Sequence, residues 1–396
     1  MKPHRVLVTD GTQRSALAVV RSLGNAGHTV FVCAPRVPSL AGSSRYSFAE
    51  SAVPDALVSP SDFVTEVTLL IDRWHIDTLI PITEASLLAL LPERATLGAV
   101  IPFPDASVFR GMTDKSAVLS AAKELGVATP HQVVLQRKSD LGAMDPGLLD
   151  YPVVLKPSRS VGEHDGQRVA LGVLHVADAK SFKPVIQSLD DAAFPLLVQQ
   201  RIVGPGTGVF LLVWDGVVRA CFAHRRLREK PPSGGVSVYS ESIAADPELV
   251  ERSRLLLERM KWNGVAMIEY KLDASTGVPY LMEVNGRFWG SLQLAIDAGV
   301  DFPALLVAAA TGEPMPPVTS YRIGARSRWW WGDVDQLLSR WRKSDSELAL
   351  PSDAPSRLRA TREFFSVLQP HNRSDVFRVT DVQPFVRETL DWFRRR

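Results

Sequence analysis

Two strand-like segments in the second half of the chain each carry a glutamate, and this feature constrains the fold most. Residues 265–272 and 280–285 read as strands, and Asp273–Gly277 between them is typical of a hairpin connection. Folding this hairpin would bring Glu269 of the first strand beside Glu283 of the second. Because a carboxylate is costly to bury without a partner, Glu283 in its apolar segment predicts a counter-charge or a ligand.

The same hairpin offers oxygen atoms for a metal ion. Asn285 lies two residues after Glu283, and alternate residues of a strand share one face. Carboxylate and amide oxygens are the ligands that a hard divalent cation prefers. We therefore predict that Glu269, Glu283 and Asn285 hold Mg²⁺, and that Arg287 reaches an anion held by that ion. The alternative is an edge strand on which Glu269 faces solvent.

Composition indicates a globular protein and excludes several classes. The chain has 396 residues, 45% hydrophobic and 22% charged, which is enough for two or three domains. A net charge of +2 gives no reason to expect nucleic acid. The two cysteines, Cys33 and Cys221, form no metal or redox spacing. Because no apolar run has the length of a signal peptide or a transmembrane segment, we expect a cytoplasmic protein.

The N-terminal part reads as alternating strands and helices. Residues 5–35 have the pattern strand, helix, strand, which predicts a βαβ unit and a parallel sheet. The Gly-x-Gly-x-x-Gly motif of a dinucleotide site is missing. A helix near 61–74 and a strand at 78–82 follow, and Glu84 comes just past the end of that strand, where open α/β sheets bind ligands. We expect Glu84 to contact a substrate amine; the alternative is an ordinary helix N-terminal charge.

Two lysines are candidates for phosphate binding. Lys115 lies in the first turn of a predicted helix, where a cation is unfavourable unless an anion is nearby. Lys156 interrupts the apolar strand 152–157, and lysine is rarely buried without a partner. The small, polar segment Ser158–Gly166 that follows is consistent with a mobile flap over phosphates.

A cluster of arginines predicts an anion-binding loop. Arg225 and Arg226 run into a turn that contains Ser233 and Gly234, and arginine binds phosphate or carboxylate in a bidentate manner. We expect this loop to contact a substrate carboxylate. The alternative is a solvated edge strand.

Together these motifs resemble the ATP-grasp superfamily, specifically its carbamoyl-phosphate-synthase-like group of predicted carboxylate–amine ligases. The chain is similar to D-aspartate ligases of cell-wall synthesis. The resemblance covers roughly residues 5–315. The motifs that carry it, in chain order, are Asp114-Lys115, residues 154–157, residues 198–202, residues 225–235, residues 268–270 and residues 282–287.

The resemblance implies a fold of α/β and α+β class with three parts. Residues 1–112 would form a Rossmann-like pre-ATP-grasp domain. Residues 113–317 would form the ATP-grasp domain, with two lobes and a hinge near 199–202. Residues 318–396 would be a small C-terminal extension outside the core motifs of the family.

The resemblance also implies roles for individual residues. Lys115 and Lys156 would bind the phosphates of ATP, and the three arginines Arg225, Arg226 and Arg287 would stabilise the transferring phosphoryl group and the substrate carboxylate. The hinge would contact adenine largely through its backbone, and it consists of Gln199, Gln200, Arg201 and Ile202. The chain departs from the family at Gln200, where a glutamate is common, and no acid follows in residues 204–208 to bind the ribose.

These features predict an enzyme that uses ATP and Mg²⁺ to activate a carboxylate as an acyl phosphate and joins it to an amine. Both substrates would be small molecules. No Gly-x-Ser-x-Gly, Cys–His pairing or His-Glu-x-x-His motif offers a covalent or zinc route. The alternatives are an ATP-dependent carboligase or small-molecule kinase, and a non-catalytic nucleotide-binding regulatory protein.

The C-terminal extension, residues 318–396, differs in composition from the rest. It has 15 Lys or Arg residues against 10 Asp or Glu, and five of the nine tryptophans, including Trp329, Trp330 and Trp331. Such tryptophans usually fill a contact with the main body or with a second subunit of a homodimer. The alternative is docking on a membrane surface or a lipid-linked substrate.

Overall fold

The computed structural model describes residues 2–164, 167–350, 354–366 and 372–395. Its N-terminal part consists of β1 (Arg5–Val8), α1 (Arg14–Asn25), β2 (Thr29–Ala34), β3 (Ser47–Ala52), α2 (Pro60–Trp74), β4 (Thr78–Ile80) and α3 (Glu84–Leu90). The four strands form an all-parallel sheet in the order β3-β2-β1-β4. Because parallel strands are covered on both faces, β1 is a continuous apolar run, fully buried from Val6 to Val8. The predicted βαβ unit is confirmed.

The middle part contains a small antiparallel sheet in which β5 (Gln132–Leu135), β10 (Leu196–Gln200), β6 (Val153–Pro157) and β9 (Leu174–Val176) lie side by side in that order. Phe182 and Ile186 of the helix that follows β9 pack in the core on one face of this sheet. The predicted flap Ser158–Gly166 includes the strand β7 (Val161–His164), which pairs with β8 (Gln167–Ala170) in a separate hairpin. Residues 165 and 166 of the flap lie outside the described part. The elements are α4 (Ala106–Thr113), α5 (Lys115–Glu124), β5 (Gln132–Leu135), β6 (Val153–Pro157), β7 (Val161–His164), β8 (Gln167–Ala170), β9 (Leu174–Val176), α6 (Ala179–Ser188) and β10 (Leu196–Gln200).

The third part is built around a seven-stranded sheet. Its elements are β11 (Gly206–Trp214), β12 (Val217–Lys230), β13 (Val236–Ser242), α7 (Pro247–Arg259), β14 (Gly264–Leu272), β15 (Pro279–Asn285), α8 (Leu292–Ala298), α9 (Phe302–Ala310), β16 (Arg326–Arg328), α10 (Trp330–Arg342), α11 (Arg357–Phe365), β17 (Asn372–Ser374) and α12 (Gln383–Arg394). The strand order is β15-β14-β11-β12-β13-β16-β17. Every pair is antiparallel except β16–β17. The largest hydrophobic core joins this sheet to the parallel sheet.

The predicted helical region from 292 to 310 is two helices. Gly299 caps α8 in the left-handed region at φ 112°, which ends the helix. The chain bends by 90° between α8 and α9. Among the described residues no single helix is long and apolar enough to cross a membrane. The bent pair α8 and α9 has the required length and composition only when the two helices are counted together.

The C-terminal extension is built into the rest of the molecule. β16 pairs with β13, so the extension continues the seven-stranded sheet. Two arginines of α1 hold it: Arg14 forms an ion pair with Asp375, and Arg21 Nε donates to Asp381 Oδ2 at 2.8 Å. The pair between Arg21 and Asp381 is buried on both sides, and the pair between Arg14 and Asp375 is largely buried.

The three consecutive tryptophans contact residues of the same chain. Trp329 lies under the Arg14 guanidinium at 4.0 Å from ring centroid to Cζ. Trp330 packs against Phe364, and Trp331 stacks on Trp392 with ring centroids 4.2 Å apart. These contacts favour the packing interpretation of the Trp-rich segment over the membrane one.

Candidate active site

The hairpin of β14 and β15 places Glu269 directly opposite Glu283. The alternation of side chains along each strand turns both carboxylates to one face of the sheet. Asn285 is on the same face, and its Nδ2 donates to Glu283 Oε1 at 3.0 Å. The structure thus brings together the three residues predicted to hold Mg²⁺.

Two lysines from other parts of the fold face this acidic pair. Lys115 Nζ lies 3.9 Å from Glu283 Oε2 and donates to Ser160 Oγ at 2.9 Å. Lys156 points from β6 to the same place, with its Nζ 4.0 Å from Met282 Sδ. Burial lowers the pKa of Lys156, and the negative charge of Glu283 is the largest influence that opposes this.

Arg226 is a buried partner of the acidic pair. Its Nη2 donates to Glu269 Oε2 at 2.5 Å, and its Nη1 donates to Glu229 Oε1 at 2.7 Å and to Gly235 O at 3.0 Å. Its side chain is only 8% exposed. The guanidinium is therefore held by two carboxylates of its own chain.

The remaining cations of the predicted anion-binding loop also have acidic partners. Arg225 pairs with Glu241 of the next strand, and Arg225 is 54% exposed. Arg228 pairs with Asp333 and Lys230 with Asp335, both from α10. The two pairs with α10 fix the loop to the C-terminal extension. Of the predicted arginines, Arg225 keeps the greatest access to solvent.

Ser233 and Gly234 lie in the turn between β12 and β13. Gly234 has φ 128°, and a side-chain carbon there would be 3.4 Å from Lys271 Nζ. Lys271 belongs to β14, the strand that carries Glu269, so this turn lies near that strand. The contact of Ser233 and Gly234 with substrate stays a prediction.

Arg287 and Glu84 complete the group around the acidic pair. Arg287 Nη2 donates to Asn285 Oδ1 at 3.2 Å. Burial raises the pKa of the Glu84 carboxyl, and Arg287 and Lys115 are the cations that oppose this. Glu84 Oε1 is buried and has no hydrogen-bond partner. This oxygen could therefore accept a hydrogen bond from a ligand.

The start of α3 is fixed by its neighbours, and this positions Glu84. Thr83 caps the helix by accepting from the Ser86 N–H. Asp10 Oδ1 accepts from the hydroxyls of Thr83 and Ser86 at 3.1 and 2.9 Å. Asp10 lies in the turn after β1, so the two strand ends of the parallel sheet are joined here.

The flap hairpin contacts the same helix. Arg168 donates to the carbonyl oxygens of Ala85 and Leu88, each at 3.4 Å. The flap and the helix that carries Glu84 therefore form one contact surface.

The predicted hinge leaves the small sheet where β10 ends. Gln199 is buried in β10 and its Nε2 donates to Gln132 Oε1 at 2.7 Å. Gln200 is exposed, Ile202 is buried, and Arg201 donates to the Ala349 carbonyl. Because β11 of the large sheet begins at Gly206, this segment links the two sheets.

Sequence reasoning missed His175 of β9. His175 and Gln199 are both paired with Val154, two residues from Lys156, so all four side chains share one face of the small sheet. The buried Nδ1 of His175 has no partner. Burial, and then the nearby Arg201 and Lys271, lower the pKa of His175 to about 4. The three-residue strand gave too little alternation to reveal it.

Comparisons with known proteins agree on the fold. Residues 193–330 match the family model described as ATP-grasp in the biosynthetic pathway with Ter operon. No curated protein matches the chain. The predicted resemblance to the ATP-grasp superfamily and the predicted fold class are confirmed by this match together with the solved structures.

Three solved structures illustrate the similarity. An L-amino acid ligase from Bacillus licheniformis is 17% identical, with a TM-score of 0.61 over 78% of this chain and 75% of that one. An N5-carboxyaminoimidazole synthetase from Staphylococcus aureus complexed with ADP is 14% identical, with a TM-score of 0.62 over 82% and 80%. The biotin carboxylase domain of Hydrogenobacter thermophilus 2-oxoglutarate carboxylase, in complex with MgADP and bicarbonate, is 16% identical, with a TM-score of 0.61 over 82% and 73%.

Proposed function

We propose that this chain, of which residues 193–330 match an ATP-grasp family model, is an ATP- and Mg²⁺-dependent ligase that joins a carboxylate to an amine. One observation carries the proposal: the paired carboxylates of Glu269 and Glu283 face Lys115 and Lys156, which come from two other parts of the chain. Opposite charges gathered in one cleft suit a nucleotide triphosphate with its metal ion. The similarity to an L-amino acid ligase supports amino-acid-like substrates.

The chemistry of three side chains fits a magnesium ion. Mg²⁺ is usually held by one or two carboxylates together with substrate phosphates, and Glu269, Glu283 and Asn285 offer two carboxylates and an amide oxygen. Among the described residues no group of three or more His, Cys, Asp or Glu side chains could hold a metal. The ion would therefore depend on ATP for its remaining ligands. When bound, it would neutralise charge on the phosphate oxygens.

We assign the phosphates of ATP to the two lysines. Within the described residues, the only hydrogen-bond contact of Lys156 Nζ is the Met282 thioether, a weak acceptor. A buried ammonium with such a contact gains most from an anionic ligand. Lys115 is already held at Ser160, at the base of the flap, so it would connect the phosphates to flap closure.

The proposed reaction has two steps. A carboxylate oxygen of the first substrate attacks the γ-phosphorus of ATP, the bond from that phosphorus to the β–γ bridging oxygen breaks, and ADP leaves. The amine then attacks the acyl carbon, and phosphate leaves with the bonding electrons. Arg287 would bind the substrate carboxylate. Glu84 would hold the amine through its free Oε1 and accept the released proton, for which its raised pKa suits it.

The geometry supports a different role for Arg226 from the one that the resemblance implies. Its Nη2 donates to Glu269 and its Nη1 to Glu229, so both terminal nitrogens of the guanidinium are held by carboxylates of its own chain, and among its nitrogens Nε has no partner in the described part of the chain. We propose that Arg226 positions Glu269. Arg225 precedes Arg226 on β12, so its side chain points to the other face of the sheet, where it pairs with Glu241. The contact of Arg225 with the substrate carboxylate that the resemblance implies stays a prediction.

The test is ADP release by the purified full-length chain with amino acids supplied in pairs, followed by identification of the product by mass. A ligase releases ADP only when both a carboxylate and an amine are present. ADP release with a carboxylate alone would favour the kinase alternative. Nucleotide binding without ADP release under any pairing would favour the non-catalytic regulatory alternative.

A further inference from the structure

A second polar cavity lies away from the proposed active site. It has a volume of about 170 Å³ and opens between α1, α8 and the segment 378–381 of the C-terminal extension. None of the residues assigned above to ATP, metal or substrate lines it.

One residue that lines the cavity has a hydrogen-bond acceptor without a donor. Gln293 of α8 is 7% exposed, and its Oε1 is buried without a partner. Its Nε2 donates to Asp297 Oδ1 at 3.3 Å, which fixes the orientation of the amide because a carboxylate accepts and does not donate. Buried acceptors are nearly always paired in native proteins. The free oxygen therefore indicates a donor that the chain itself does not provide.

Three carboxylates, Asp297, Asp301 and Asp381, and two guanidinium groups, Arg21 and Arg378, line the cavity. Burial raises the pKa values of Asp297 and Asp301 above their usual range. The partners of Asp301 are the Ser22 hydroxyl and the Ala304 N–H, both uncharged. Arg21 and Arg378 also line the cavity, but they donate to Asp381 and Asp297. Asp301 is therefore the lining carboxylate whose described hydrogen bonds include no cation.

We propose that this cavity binds a small molecule through a primary ammonium group, with Gln293 Oε1 and Asp301 as its acceptors. An ammonium supplies the missing donor and the missing positive charge together. A molecule bound in the cavity would contact both α1 and α8. Helix α1 follows the turn at Asp10, which contacts Thr83. Helix α8 begins five residues after Arg287. The site therefore suits an effector whose binding connects both sides of the cleft with the extension.

The test is calorimetric titration of the full-length protein with ethylamine, 1,4-diaminobutane and glycine, with ethanol as the uncharged control. We expect at least one of the three amines to bind saturably with an affinity that does not depend on Glu84, and ethanol not to bind. Gln293→Leu should weaken that binding about tenfold or more, because it removes the acceptor. Gln293→Glu keeps the shape of the side chain and adds a negative charge, so it should strengthen amine binding. If Gln293→Leu does not fold, Gln293→Glu alone tests the proposal.

A control separates this cavity from the proposed amine site in the cleft. Glu84→Gln removes the charge that would hold a substrate amine, and it should leave the measured affinity unchanged. Loss of binding in Glu84→Gln would assign the amine to the cleft and overturn the proposal. Absence of saturable binding by all three amines, or equal affinity in both Gln293 variants and the unmodified chain, would also overturn it and leave a cavity filled by water.

Discussion

Glu269 and Glu283 are direct neighbours across β14 and β15, yet their pKa values move in opposite directions. Burial raises the pKa of Glu269, and Arg226 only partly opposes it. Burial acts in the same sense on Glu283, but Lys115 and Lys156 outweigh it and hold the pKa of Glu283 below its usual value. Glu283 is thus the carboxylate whose charge the surrounding cations stabilise most.

The unpartnered nitrogen of His175 leads to a prediction about nucleotide binding. Because its pKa is about 4, His175 is uncharged at neutral pH and suits an uncharged base edge. His175→Leu should weaken ATP binding about tenfold, since a hydrogen-bonding group would be lost from the pocket. The control is His131→Leu, an exposed histidine. Calorimetric titration with ATP measures both; equal affinities would remove His175 from the nucleotide pocket.

Glu388 of α12 gives the stability of the protein a pH dependence. Burial raises its pKa to about 7, although the Trp329 N–H and Arg14 oppose this. Between its unfolded pKa near 4.5 and about 7, the folded state keeps a proton that the unfolded state has lost, so stability falls as pH rises through this window.

Glu388→Gln should therefore stabilise the protein more at pH 8 than at pH 5. The gain in the free energy of unfolding is at most about 3 kcal/mol at pH 8 and less than about 1 kcal/mol at pH 5. Urea unfolding at both pH values measures it. The exposed Glu66→Gln is the control and should show little change. A gain that is the same at both pH values would contradict the assigned titration.

The ion pair between Arg21 and Asp381 predicts that the extension is required for stability. Asp381 also accepts from the Ser44 hydroxyl and the Arg45 N–H. Asp381→Ala would leave the Arg21 guanidinium buried without its carboxylate, which should cost about 3–5 kcal/mol in the free energy of unfolding.

The matched control is Glu124→Ala. It breaks the pair between Arg259 and Glu124, whose side chains are about 60% exposed, and should cost less than about 1 kcal/mol. Urea unfolding of both variants makes the comparison. Similar losses in the two would show that the extension is held by contacts other than the buried pair.

The active-site hairpin could be predicted because its information is local. A turn at Asp273–Gly277 and the twofold alternation of strands are enough to bring Glu269 opposite Glu283. The same reasoning placed Lys115 at the start of a helix and Lys156 on a strand. Short-range patterns therefore predicted both the acidic hairpin and the two lysines of the candidate site. The resemblance supplied the prediction that they lie together.

The partners of the arginines could not be predicted in the same way. Arg228 and Lys230 pair with Asp333 and Asp335, each 105 residues away on α10. No periodicity relates positions so far apart. Similarly, β3 (Ser47–Ala52) was missed because its sequence lacks the apolar run of its neighbours.

The most direct test of the central claim is ADP release by Glu283→Gln under saturating ATP and Mg²⁺ with an active substrate pair. Turnover should fall at least about 10²-fold, as on removal of one transition-state stabilising group, while the fold stays intact by circular dichroism. Glu258→Gln, on the exposed face of α7, should retain full activity. Near-normal turnover in Glu283→Gln would contradict the proposal that this carboxylate holds the metal for phosphoryl transfer.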